Sequence, residues 1–179
     1  MEYKGKFVLT GGPGIGKTTL IEILAEKGFA IVSETAREVI EEERINNRGF
    51  LPWEDLQEFQ HLVALRQLAK EEAVNTIPLF FDRGLVDGHA YCALGPVPVL
   101  EIINEKGMSR YEKIFILEPL ESYLNDDVRF EDRDSAMRIH EQIIKSYNTF
   151  GYETINVPVL APLERVEFIL QNSGIVSTK

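Results

Sequence analysis

Short apolar runs and stretches with helical period alternate along this chain from end to end. Lys6–Leu9, Phe29–Val32, Pro78–Phe81, Ile114–Leu117 and Thr154–Val157 are continuous apolar runs bounded by turn or polar residues, and they predict five buried strands. Between them lie helical patterns. Thr18–Lys27 carries Leu20, Ile21, Ile23 and Leu24, with Gly28 as a stop. Glu34–Arg44 predicts a polar-faced helix, and Pro52–Val74 a long one striped by Leu62, Leu65 and Ala69 beside Leu56, Phe59 and Val63. Leu85–Ala93 and Pro98–Glu105 predict short helices. Ser135–Phe150, with Ile139, Ile143 and Tyr147 four apart, and Leu163–Leu170 predict two more.

Strands that are apolar throughout and alternate with helices imply a parallel sheet covered on both faces, a three-layer α/β domain. No linker, repeat or low-complexity tract divides residues 1–179, so one domain is expected. Ligands of such sheets bind at the carboxyl ends of the strands. Here those ends are Gly11, Ser33, Asp82, Glu118 and Pro158.

Composition narrows the picture. Hydrophobic residues make up 44% of 179, enough for a core without disulfides, and the lone Cys92 allows no internal disulfide. No run approaches a membrane span and no signal-type segment follows Met1, so a cytoplasmic protein without membrane attachment is expected. The formal net charge of -10 makes a general nucleic-acid binder a poor reading. An anionic ligand must then be held by local geometry.

That geometry is written after the first strand. Gly11-Gly12-Pro13-Gly14-Ile15-Gly16-Lys17-Thr18 fits G-x-x-x-x-G-K-[ST] between a strand and a helix. Glycines let backbone N–H groups turn inward, and the helix presents its positive end to phosphate. Lys17 supplies a cation for the outer phosphate oxygens. The Thr18 hydroxyl can ligate Mg²⁺, and Thr19 completes the nucleotide-binding set. The bare pattern arises by chance in roughly one chain in a hundred of this length, and its strand–helix context reduces that further. ATP and Mg²⁺ are the expected cofactors.

Asp82 follows the third strand, where a carboxylate holds the metal or takes a proton from the attacking group. Its neighbour is Arg83, where ATP-driven machines tend to carry a glutamate. An arginine there suits clamping a phosphate or a second substrate, and the bland alternative is an Asp82–Arg83 pair capping the next helix. After the second strand, Glu34 could accept a proton from a substrate hydroxyl, with Arg37 one turn on. The competing reading makes Ser33 an N-cap and Glu34 a first-turn acid. Phe50, Trp53 and Phe59 serve either an acceptor ring or, more simply, the core, and Gln57 and Gln60 could read base edges. His89 is an ordinary satisfied histidine, and Glu41–Glu43 a solvated helix face. Residues 118–134 form a candidate lid. There Arg129 and Arg133, one turn apart if helical, could neutralise a transferring phosphoryl group, with Arg138 a third candidate. The alternative is an exposed segment with local ion pairs.

The runs GGPGIGKTT, FDRG and the arginine-bearing 129–133 segment resemble the P-loop nucleoside and nucleotide kinases. SETAREVI and YNTFGYETINVP are similar to small ATP-binding proteins related to the ribosylnicotinamide kinase domain of bifunctional NAD-biosynthesis enzymes. The resemblance implies strand order 2-3-1-4-5, a mobile lid between strands four and five, and an acid at Glu34 facing the acceptor. The expected function is ATP-dependent transfer of a γ-phosphoryl group to a nucleoside-like or nucleotide-like small molecule. The alternative is a nucleotide-dependent switch, though no N-K-x-D guanine-reading motif is present.

Overall fold

The computed structural model describes residues 5–119 and 133–175. The chain runs β1 (Lys6–Thr10), α1 (Lys17–Glu26), β2 (Ala30–Val32), α2 (Thr35–Asn46), α3 (Leu56–Ala73), β3 (Leu79–Asp82), α4 (Asp87–Leu94), α5 (Glu101–Lys106), β4 (Lys113–Leu117), α6 (Arg133–Thr149), β5 (Thr154–Val157) and α7 (Pro162–Ser173). All strand pairs are parallel and the order is β2-β3-β1-β4-β5, as the resemblance implies.

Period-two alternation within the apolar runs divides the core into two layers. Val8, Leu79, Phe81, Ile114 and Ile116 point to the face covered by α3, α4 and α6. Phe7, Leu9, Phe80, Phe115 and Leu117 point to the face covered by α1 and α7. Because β1 lies at the centre, its carboxyl end opens between those of β3 and β4. The loop from Gly11 to Gly16 therefore sits at the middle of the sheet edge, within reach of residues from several other elements.

Three expectations change. α3 begins at Leu56, four residues after the apolar stripe suggests, because the Asp55 carboxylate caps the Glu58 N–H at 3.0 Å. Ser33 is not an N-cap: Glu34 holds that position without a side-chain cap bond, and the Ser33 hydroxyl donates to Glu38 instead. Glu43 is not part of a solvated face. It is 1% exposed and ion-paired to Arg48. Among the described residues no helix is long and apolar enough to cross a membrane.

Candidate active site

The phosphate loop turns through left-handed glycines at Gly11, Gly14 and Gly16 (φ 130°, 71° and 88°) and runs into α1 at Lys17. The Lys17 ammonium lies over its own loop, donating to the Gly12 carbonyl at 2.6 Å and the Gly11 carbonyl at 3.4 Å. Burial and the Arg83 charge lower its pKa to about 7. The loop thus encloses a cation that is poorly solvated. Gly14 and Thr18 are exposed at the mouth, while Thr19 lies on the exposed face of α1.

Thr18 meets the end of β3, its hydroxyl 3.3 Å from Asp82 Oδ2. The other oxygen, Asp82 Oδ1, is buried with no hydrogen-bond partner. Burial raises the Asp82 pKa, with Lys17 pulling the other way. An orphaned carboxylate oxygen beside a hydroxyl, next to a phosphate cradle, is a donor set fitted to a hard cation such as Mg²⁺.

Arg83 is the pivot of the site. It adopts φ 69°, a left-handed conformation that costs a non-glycine residue about 1 kcal/mol or more. Bonds on every side hold it there. Nε donates to Glu34 at 3.0 Å, and one terminal nitrogen donates to the Gly11 carbonyl at 3.1 Å and to Asp87 at 3.0 Å. Its guanidinium also lies 5.7 Å from the Tyr91 ring. Arg83 ion-pairs with Asp87 and Glu34 and forms no cap with Asp82, so the bland reading of an Asp82–Arg83 pair gives way.

Asp87, in the first turn of α4, is the anchor. Its carboxylate accepts from Thr10, Arg83, the Gly84 N–H and the Tyr147 hydroxyl. Gly84 makes room for this: a Cβ there would stand 2.7 Å from the Tyr147 hydroxyl and 2.9 Å from that of Tyr111. Gln67 backs the arrangement from α3, accepting from Thr35 and donating to Glu71 at 3.0 Å. Tyr147 reads in the sequence only as part of a helical stripe and Gln67 and Glu71 not at all; all three reach the site only through packing. Arg165 of α7 is a second such case. It donates to the carbonyls of Ile15, Glu118 and Pro158, tying the loop to the ends of β4 and β5.

Glu34 lies at the end of β2 as expected. Burial alone would raise its carboxyl, but the Arg83 and Lys17 charges outweigh it and hold the pKa below the ordinary value. Glu34 and Arg83 line one end of a cavity of about 320 Å³ that begins at Pro13 and extends between α2, α3 and α4. Phe59 and Gln60 line it, both buried. Phe50, Trp53 and Gln57 do not. Trp53 is 63% exposed with Arg44 against it, and Phe50 lies against Arg48. Arg37 is exposed outside the cavity, near enough for its charge to act on Glu34. His89 is satisfied by Ser146 at 2.9 Å. Of the lid arginines, Arg129 lies outside the described residues. Arg133 opens α6 at the surface, and Arg138 is exposed and donates to Ser135.

A family model described as an AAA domain matches residues 6–165. The chain belongs to this AAA-domain family. Among solved structures, this family member is similar to NadR protein in complex with NR, at 16% identity and TM-score 0.68 over 97% of this chain and 52% of that one. A second NadR structure, in complex with NAD and AMP-PNP, matches at 17% identity and TM-score 0.66. The chain thus spans about half the length of the NadR chains. Deoxyadenosine kinase from M. mycoides matches at 16% identity and TM-score 0.63 over 93% of this chain and 97% of the other. Shikimate kinase from Aquifex aeolicus matches at 18% and 0.58 over 93% and 94%. No curated protein sequence matches significantly. These likenesses establish the P-loop kinase fold.

Proposed function

We propose that this protein is an ATP-dependent small-molecule kinase whose acceptor is a nucleoside-like or nucleotide-like molecule. One observation carries the reading. A cavity large enough for such a molecule ends on Glu34 and Arg83, directly beside the phosphate loop.

The roles follow from the charges. Lys17 and the loop amides bind the phosphates of the triphosphate. Thr18 and Asp82 would hold Mg²⁺, which would supply positive charge to offset that of the phosphates. Glu34, kept ionised by Arg83 and Lys17, accepts a hydrogen bond from the acceptor hydroxyl and orients it. It need not be a strong base, because phosphoryl transfer passes through a loose transition state with late proton loss. Position divides the work between the two acids: Asp82 lies beside Thr18 at the phosphate loop, and Glu34 lines the cavity. Arg83 steadies the transferring group from the acceptor side, and Arg129 and Arg133 are proposed to close over it. Val159 and Leu160, exposed and apolar in the connection between β5 and α7 that Arg165 ties to the loop, offer a surface for the base of the triphosphate.

The test is a turnover screen of Mg-ATP against nucleosides, ribosylnicotinamide and nucleoside monophosphates, following ADP and phosphorylated product together. Transfer to one of them, lost in Glu34→Gln by about a hundredfold in kcat with nucleotide affinity retained, is the expected result. Slow phosphate release with no acceptor phosphorylated would overturn the kinase reading in favour of a nucleotide-dependent switch.

A further inference from the structure

His140 is buried against the phosphate loop and has no part in the chemistry above. α6 carries it there. Its Nδ1 accepts a hydrogen bond from the Gly12 N–H at 3.2 Å, and the side chain is 7% exposed. The fit is close. A Cβ on Gly12 would stand 3.0 Å from the Ala136 carbonyl oxygen and 3.3 Å from the His140 Cβ, and one on Gly11 would stand 3.2 Å from Nδ1. An accepting Nδ1 requires a neutral ring with its proton on Nε2. A second proton would turn Nδ1 into a donor facing a donor.

We propose that His140 is a positioning residue for the bound triphosphate: its neutral ring holds the Gly12 amide, sets the first turn of the phosphate loop and joins that loop to α6, and protonation of the ring releases it. The inference rests on the phosphate-binding reading of that loop.

The charges around the ring agree with a neutral resting state. Burial comes first and Lys17 second in lowering the His140 pKa, against opposition from Glu141 on its own helix and Glu118 at the end of β4. α4 also packs on α6, and its Asp87 and His89 face Tyr147 and Ser146 rather than His140, about two turns further along. The ring is therefore neutral near pH 7 and takes up its second proton only in acid. α6 reaches the site twice, through His140 on Gly12 and Tyr147 on Asp87. A single helix thus touches both the phosphate loop and the cavity side of the site.

The experiment compares the full chain with His140→Ala and His140→Asn, measuring calorimetric affinity for the Mg²⁺ complex of a non-hydrolysable ATP analogue from pH 5 to 8. Asparagine offers an acceptor close to the Nδ1 position but does not titrate. At pH 8 the alanine variant is expected to bind about tenfold more weakly, the worth of one buried amide left unpaired, and the asparagine variant to recover most of that loss. The ratio of native to asparagine-variant affinity should be flat at high pH and fall in acid with the His140 midpoint, a comparison that cancels protonation of the nucleotide itself. In ligand-free protein the Gly12 amide resonance should move with that same midpoint. Alanine-variant affinity equal to native, equal losses in both variants, a flat ratio, or a Gly12 amide indifferent to the ring would each overturn the proposal. Lys17→Ala separates the levels. If native protein binds and Lys17→Ala does not while the His140 variants match native, only the positioning role fails. If native protein binds no triphosphate, the phosphate-loop reading fails with it.

Discussion

The most consequential property of Lys17 is its burial beside the Arg83 charge. With a pKa near 7 in the ligand-free protein, part of the population is neutral at pH 8. Phosphate beside it restores the ordinary preference for charge, so binding must take up a proton. Calorimetric titration with Mg-ATP at pH 8, in buffers of different ionisation enthalpy, should show that uptake, and it should fade by pH 6 where Lys17 is already charged. Asp82 carries the opposite load. Its folded pKa lies above the unfolded value, so the native state binds more protons in that window. Stability from this group is present in acid and is lost as pH rises through the folded pKa. Asp82→Asn is therefore expected to stabilise the ligand-free protein by about 1 kcal/mol in urea unfolding at pH 7 while abolishing Mg-dependent nucleotide binding. A variant less stable than native would contradict the burial argument. Lys17, Thr18 and Asp82 were legible as residues because their spacing from strand ends is local. That the resting lysine bonds its own loop carbonyls was not, since that depends on how the loop closes.

At the scale of elements, the β3–α4 connection shows how a short motif becomes a mechanical part. Arg83 can hold φ 69° because Asp87, in the first turn of α4, grips both its guanidinium and the Gly84 N–H. Gly84 is glycine because two phenols occupy the place of its side chain. Gly84→Ala is expected to lose about 2 kcal/mol in chemical denaturation, from overpacking and displaced hydroxyls. It should also weaken acceptor KM more than nucleotide affinity, because Arg83 faces the cavity. Tyr147→Phe removes one bond to Asp87 while leaving the ring in place, and should cost about 1 kcal/mol. Most helices were legible from their apolar spacing, and α3 shows where that signal misleads. Its stripe continues backward through Pro52 and Trp53, but the Asp55 cap starts the helix and leaves Trp53 outside the core. Capping acts through one side chain and one amide, and hydrophobic period does not record it.

At the scale of the whole molecule, one residue near the end of the chain holds the first loop in place. Arg165 bonds carbonyls from the loop and from the residues just past β4 and β5 at once. Arg165→Ala leaves those carbonyls without their donor and is expected to lower stability by about 2–3 kcal/mol, and thermal shift should show a smaller gain from Mg-ATP than in native protein. The alternation of fully apolar runs with helical patterns determined the parallel three-layer architecture, because a strand buried on both faces must be apolar throughout and its return must cross by a helix. Glycine spacing and one lysine determined the phosphate loop, because that chemistry is local in the chain. The tertiary structure alone decided that Asp87, Tyr147, His140 and Arg165 belong to the site, and that Glu43 is buried rather than solvated. Their partners lie on other elements at long separations in sequence, and only the closing of the layers brings those side chains and amides within bonding distance.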